Sequence, residues 1–586
     1  MRRSLGRLLI PVVLILLACR ALTPAVLAPP QISVTPAAAT LGVTPSPDIV
    51  ASPTPLPPTL TPLPIPDKPF DVRVHPDGPL YVGDQVSLEI IAPPQTDLSG
   101  HSVEVQVDAP QGSFLATVDF GRYGIGGRSQ ATLMWAWDTS NLEAGEHTLT
   151  FKIKPDGPTW TQNIRLHPQD EVPPPEPQAK WASVDSKYCR LYYITGTAAE
   201  RDIQKLMAMA DEQAQDVSQR LGVEINSPIP IVFLPRVLGH GGFTGQEISV
   251  SYLDRNYAGS DSALVLHHEM VHLLDNRLGG DLRPTILLEG LAVYLSGGHF
   301  KKDPLLPRAA ALLSTTAGCA ADASSGGSET ALVSGKACGL GTYLPLKPLI
   351  DEFYTSQHEI GYLEAGALVE YMVNTWGWQA FSDFYRDIHS VSSGSQAQAM
   401  ENALRKHFNI SLDDLEQGFL SVLREQTVTS VITKDVSLTV LYYDTVRRYQ
   451  QLLDPSAYFL TAWLPDAVKM RQKGIVADYL RHPSTPENIA LETLLVSADN
   501  SLLSGDYART EQTLAAVNAM LDIFSGGGLQ TYGQGNRTLN GGWQYKFIWS
   551  KTIAPTTRTH STTSRHPQPA YSQVRDLCLS SSSSIR

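Results

Sequence analysis

The chain has no basic excess with which to meet a polyanion. Lysine and arginine number 45 against 58 aspartate and glutamate, for a formal charge of -13. Contact with nucleic-acid phosphates needs a basic face, so that class of partner is excluded. Charge of either sign is scarce, at 18% of residues, whereas prolines number 42. That combination predicts uncharged, extended linker between folded parts. The N-terminal apolar run, residues 8–17, is too short to span a bilayer comfortably. Cysteine occurs only five times, and never within residues 70–168, so no disulfide can staple that region. What is present is length and apolar material. With 586 residues, 42% of them hydrophobic, the chain has enough for several cores and is too long for one domain.

Arg2, Arg3 and Arg7 precede the apolar run, which gives residues 1–18 the form of a secretory signal. The run closes on Leu16-Leu17-Ala18-Cys19, which resembles the bacterial lipobox. The resemblance implies that Cys19 becomes the lipidated first residue of the mature protein. The chain would then be exported and anchored as a lipoprotein on the outer face of the bacterial cell membrane. Residues 19–69 follow as a Pro/Thr-rich linker, with fourteen prolines from residue 23 onward, an extended tether rather than a core.

The period becomes two within residues 70–168. Val86, Leu88 and Ile90, then Val103, Val105 and Val107, then Leu133, Trp135 and Trp137, then Leu149, Phe151 and Ile153 alternate with polar residues. These are strands separated by turn signals at sandwich-like spacing. The stretch from Trp137-Asp138-Thr139 through Leu142, Gly145 and His147 resembles bacterial immunoglobulin-like modules, which implies a β-sandwich without the inter-sheet disulfide of antibody domains. Residues 169–180 are a second proline-rich hinge. The apolar spacing then predicts a strand over 188–194, a helix over 199–221, a buried strand over 229–234, a helix over 362–372 and a capped helix start at Ser411 to Asp414. An α+β domain is therefore expected over 181–430. Residues 431–524 read as helical, and 490–521 resemble one tetratricopeptide-like hairpin with no second copy, so no solenoid is implied. Residues 525–586 have the composition of a disordered tail.

The chemistry-bearing signal is His268-Glu269-Met270-Val271-His272 inside an apolar helical run. Positions i and i+4 share one helix face, so two imidazoles can converge on one metal while Glu269, rotated by about 100°, reaches toward a bound water. Catalytic zinc wants three protein ligands and one open position. Glu289 follows in Leu288-Glu289-Gly290-Leu291-Ala292-Val293-Tyr294, a carboxylate on an otherwise apolar helix, costly to bury unless paired or metal-bound. H-E-x-x-H followed by E-G-x-A-x-Y resembles the gluzincin zinc metallopeptidases, and in style the bacterial peptidase-MA-like domains. The resemblance covers residues 181–430 and implies a thermolysin-like zincin fold. It also implies Zn2+ on His268, His272 and Glu289, and hydrolysis of a peptide or protein substrate with Glu269 as general base. Other zinc clans fit less well: a metzincin needs glycine and histidine where Asp275 and Leu278 stand, and Asp281 lies in a loop.

The same resemblance implies a tyrosine that donates to the oxyanion, and Tyr362 is the choice, with Tyr294 and Tyr354 as alternatives. Asp275 is a candidate second partner for a ligand imidazole or a surface residue, and His267 is expected on the helix surface. Residues 245–253 read as the edge strand on which this clan lays an extended substrate. Glu247 on it is the candidate reader of a substrate α-amine, but the aminopeptidase motif is absent, so an endopeptidase is expected. Cys319 and Cys338 flank a Gly/Ser-rich insertion and could close it as a disulfide. The competing reading is a non-catalytic surface binding protein with a relic peptidase domain; an aminopeptidase is the other alternative.

Overall fold

The computed structural model describes residues 70–94, 96, 98–110, 112–259, 261–275, 280–314, 339–355, 358–392 and 394–525. The signal segment with Cys19, the linker over 19–69, the pair Cys319 and Cys338, and the tail from 526 onward lie outside them.

Nine strands come first: β1 (Asp71–His75), β2 (Leu80–Tyr81), β3 (Gln85–Ile91), β4 (Ser102–Val107), β5 (Phe114–Asp119), β6 (Gly121–Tyr123), β7 (Arg128–Asp138), β8 (Gly145–Lys154) and β9 (Thr159–His167). They form two sheets, ordered β1-β3-β7-β6 and β2-β9-β8-β4-β5. The period of two explains why they pack. Val86, Leu88, Ile90, Leu133 and Trp137 of the first sheet share one core with Val103, Val105, Leu149, Phe151 and Ile153 of the second.

The other face of the first sheet, which alternation alone would leave to solvent, is buried as well. His75 and Glu89 are both fully buried there. His75 Nε2 pairs with Glu89 Oε2 at 2.9 Å, and Arg128 and Gln130 donate to the same carboxylate at 2.8 and 2.7 Å. What covers this face is a segment far along the chain: the Trp463 ring stacks on His75 at 4.0 Å. Arg481 grips Asp84 at 2.6 and 2.9 Å. It also binds Glu176 at 2.8 and 2.5 Å, so the proline-rich stretch over 169–180 is tied down and is no free hinge. Arg236, 1% exposed, donates to Asp77 at 3.1 Å and lies 3.5 Å from Asp454.

Burial opposes a charge on His75, but hydrogen bonds and charge from Asp77 and Glu89 outweigh it and raise its pKa. A histidine held above its unfolded value contributes stability in full below that value and loses it as pH rises through the folded one. The melting temperature should therefore fall more steeply in the wild type than in His75→Gln as pH rises above the ordinary imidazole value of about 6.5, and parallel curves would refute the charged cluster.

A third sheet runs β10 (Trp181–Asp185), β11 (Cys189–Ile194), β12 (Ile229–Leu234), β13 (Gly242–Thr244) and β14 (Ile248–Ser251), in the order β10-β11-β12-β14-β13. The central pairs are parallel and both edges antiparallel. The expected edge over 245–253 is thus corrected: its strand, β14, is internal, and the three-residue β13 is the edge. Helices α1 (Ala198–Arg201), α2 (Ile203–Leu221), α3 (Ser262–Asp275), α4 (Thr285–Ser296) and α5 (Leu305–Ala310) come next. They are followed by α6 (Leu346–Asp351), α7 (His358–Trp376), α8 (Trp378–Arg386), α9 (Gln396–Phe408) and α10 (Leu412–Glu425). The last begins with the Ser411–Asp414 capping box. Gly290 of α4 lies so close to α7 that a β-carbon there would collide with the carbonyl oxygen of Ala365, which explains a glycine inside an apolar helix.

The remaining helices are α11 (Ser430–Leu453), α12 (Ala467–Lys473), α13 (Ala477–Leu480), α14 (Pro486–Leu503) and α15 (Tyr507–Phe524). The α14–α15 hairpin packs with α11 in a core that also takes Val237, Tyr257 and Phe300. Residue 430 therefore begins a helix but does not end the core. Cys189 is a buried free thiol. Among the described residues no helix is long and apolar enough to cross a membrane.

Candidate metal centre

Leu266, Met270 and Leu274 of α3 are fully buried, and they turn His268 and His272 toward α4. The two imidazoles meet Nε2 to Nε2 at 3.0 Å. Each Nε2 is also 3.2 Å from Oε2 of Glu289. Three donor atoms at the corners of one small triangle, rather than paired off, converge on a common point. The edge of a tetrahedron with metal–ligand bonds of about 2.0–2.1 Å is about 3.3 Å, so this donor set fits zinc. Two neutral imidazoles and one carboxylate are also the ligand types of a catalytic zinc site. Among the described residues, His268, His272 and Glu289 are the group able to hold a metal in this way.

Glu289 is 4% exposed. Burial pushes its pKa up, but the His272 charge and hydrogen bonds from both imidazoles outweigh this and hold it well below the usual carboxylate range. Its second oxygen accepts a hydrogen bond from the Tyr354 hydroxyl, one of the two alternatives to Tyr362. Such outer partners orient a ligand and typically affect metal affinity by about 10–100-fold. Tyr354→Phe should accordingly weaken zinc binding in a chelator competition by about 10-fold or more, and an unchanged zinc affinity would remove Tyr354 from the site.

Glu269 is beside the triad and outside it. The Thr244 hydroxyl lies 2.8 Å from its Oε2 and 2.9 Å from its backbone carbonyl, with one proton to share between them, which fixes edge strand β13 against α3. A β-carbon on Gly242 of that strand would run into Val265 and the Glu269 side chain, so glycine permits the close approach. Burial raises the pKa of Glu269 to about 7.

Tyr362 is 6% exposed. Its ring lies 6.1 Å from that of His268 and stacks on His299 at 4.2 Å. His299, which the sequence reading missed, pairs with Glu359 at 2.6 Å and lies 5.9 Å from His268. Its one sequence signal is a histidine directly after the Gly297-Gly298 pair that ends α4.

Other expectations change. His267 is 4% exposed rather than on the surface, held by Ser296 at 2.9 Å and Asp216 at 2.8 Å. Asp275 is fully buried and pairs with Arg283 and Tyr385 at 3.0 and 2.9 Å. Nδ1 of His272 has no hydrogen-bond partner among the described residues, so Asp275 is neither a surface residue nor its acceptor. Asp281 sits on His389 at 2.8 Å and is exposed. Tyr294, the other alternative donor, is half-buried, and the Glu370 carboxylate acts on it electrostatically. Glu247 is committed to Arg471.

No family model and no curated protein matches the chain. Among solved structures it is similar to a two-domain M1 zinc metallopeptidase bound to L-arginine, with 13% identity, a TM-score of 0.25, and 62% of this chain and 94% of the other covered. An aminopeptidase N family protein from Idiomarina loihiensis follows at 10% identity and 0.25, covering 61% and 77%. An M1 zinc metallopeptidase from Deinococcus radiodurans stands at 14% and 0.24, covering 62% and 91%. What can be said of function comes from the side chains themselves.

Proposed function

We propose that the chain is a zinc metallopeptidase of gluzincin type. The observation that carries this is the 3.0–3.2 Å triangle of His268, His272 and Glu289 with a separate buried carboxylate, Glu269, alongside. Zinc, when bound, supplies Lewis acidity toward a carbonyl and acidifies water. The remaining work falls to the chain. Glu269, steadied by Thr244, takes a proton from the attacking water at Oε and passes it to the leaving amine. Tyr354 orients Glu289, and Tyr362 is the candidate donor to the developing oxyanion. The edge of β13, which pairs with no further strand among the described residues, lies against the helix that carries Glu269 and offers backbone pairing to an extended peptide. Because Glu247 is already neutralised by Arg471, it is not available to an α-amine, which favours an endopeptidase over an aminopeptidase. In this reading the protein acts outside the cell, lipid-anchored through Cys19, with residues 70–168 as an immunoglobulin-like module beside the peptidase.

Zinc content by elemental analysis and cleavage of a broad peptide library, both on the full chain, test the proposal. One zinc per chain with chelator-reversible cleavage is expected. Stoichiometric zinc without cleavage of any peptide would favour the binding-protein reading, and absence of zinc would overturn the assignment.

A further inference from the structure

The edge strand β13 has two faces, and the metal centre uses one of them. Gly242 and Thr244 are on the α3 side, where a β-carbon on the glycine would meet Val265 and the threonine hydroxyl reaches Glu269. Phe243, between them, turns to the opposite face of the sheet. There it packs with Tyr192 and Val232 of the inner strands, with Met470 and Ile475 from a segment far along the chain, and with Trp135 of β7.

The turn that follows β13 is fastened from the same side. The Gly245 N–H donates to the Glu247 carbonyl at 3.1 Å, closing the turn into β14, and the Glu247 carboxylate pairs with Arg471 of α12. Both side chains are mostly covered, at 12% and 13% exposure. The Arg471 guanidinium lies 3.8 Å over the ring of Tyr192 on β11 and 5.6 Å from that of Trp181 on β10. The Trp181 indole in turn donates to the Ile475 carbonyl at 2.6 Å. A planar cation seated on an aromatic face keeps its fork in a fixed direction, so Arg471 acts as a stay between the inner strands and the turn. The segment that carries α12 is anchored before and after it, where Trp463 stacks on His75 and Arg481 binds Asp84. The stay therefore ends on the N-terminal sheets. A three-residue strand, paired on one side only among the described residues, has too few bonds of its own to keep a fixed position.

We propose that Arg471 is a positioning residue for substrate binding. Through Glu247 it holds the β13–β14 turn and so sets the outer edge of β13 where an extended peptide pairs. The inference rests on the peptidase reading and deepens it, because it gives α12 and the sandwich behind it a part in binding substrate.

The test is Arg471→Met in the full, zinc-loaded chain, with two substrates cut at the same bond: an extended peptide, and a minimal blocked reporter too short to reach β13. For the extended peptide KM should rise by about 10-fold with kcat little changed, the pattern of lost uniform binding through backbone hydrogen bonds. The reporter should keep both constants. Arg471→Lys, which retains the charge without the planar fork, should restore KM in part. Hydrogen–deuterium exchange should quicken over residues 242–247 and stay as it was in α3, whereas general loosening of the fold would quicken both and slow both substrates. Unchanged exchange at 242–247, or equal effects on the two substrates, overturns the inference and leaves the peptidase reading standing. No hydrolysis of either substrate by the wild type would sink that reading and the inference with it. Should Arg471→Met fail to fold, Glu247→Gln decides: it leaves Arg471 on its rings and keeps the shape of the turn, and it should show the same split between substrates. An unsplit result there overturns the proposal.

Discussion

Glu269→Gln should keep one zinc per chain and lose hydrolysis by about 10²–10⁴-fold in kcat, the usual contribution of a positioned general base. The expectation follows from the separation of roles at the site. His268, His272 and Glu289 meet in one triangle, whereas the Glu269 carboxylate is turned to Thr244 and belongs to no edge of it. An amide of the same shape can still bond Thr244 and pack against Gly242, so the fold and the ligand set should survive. What it cannot do is accept a proton near neutrality, for which burial has prepared the carboxyl by raising its pKa to about 7. His272→Ala is the contrasting change: it removes a corner of the triangle, and zinc and activity should vanish together. Elemental analysis and single-turnover cleavage of one peptide measure both. Activity of Glu269→Gln within about 10-fold of wild type would mean that another group moves the proton.

Arg236→Met should destabilise the protein by about 3–5 kcal/mol, the cost of breaking a buried ion cluster by removing one sign. Arg236 donates not only to Asp77 but also to the backbone carbonyls of Asp478 and Arg481, at 3.1 and 3.2 Å. Its loss strips all of these at once and leaves Asp454 without its cation and Asp77 with His75 alone. Asp454 is already pushed up to about 6 by burial, which the charge of Arg236 only partly offsets. An exposed pair supplies the control: Arg165 and Glu146, 3.7 Å apart and 67% and 60% exposed, should contribute less than about 1 kcal/mol when broken by Arg165→Met. Urea-unfolding midpoints of the two variants give the comparison. Equal, small shifts would show that the cluster does not hold the N-terminal sheets to the rest.

Local pattern made part of this legible and distance in sequence hid the rest. The alternation at Val86, Leu88 and Ile90 and the i, i+4 spacing of His268 and His272 are properties of a single element. The same holds for the cap at Ser411, so strands β3, β4, β7 and β8 and helices α3, α4 and α10 could be read directly. The spacing around His267 does not show its burial, because its partner Asp216 lies 51 residues away. Glu247 is neutralised by an arginine 224 residues on. β13 escaped notice because three residues cannot show a period. The polar alternates of β1 and β3, ordinarily a solvent face, carry no mark of the tryptophan that covers them.

The clasp over that face also imposes an order of events. Arg481 and Asp84 are 397 residues apart, so in a chain made from its N-terminus the residues of the first pair of sheets are present long before those that cover their outer surface. Until Trp463 and Arg481 have been synthesised and delivered, His75, Glu89 and Asp84 lie open. A fragment ending before them would present this acidic surface to solvent, proteases and chaperones. Closure of that face therefore waits on the last folded part of the chain.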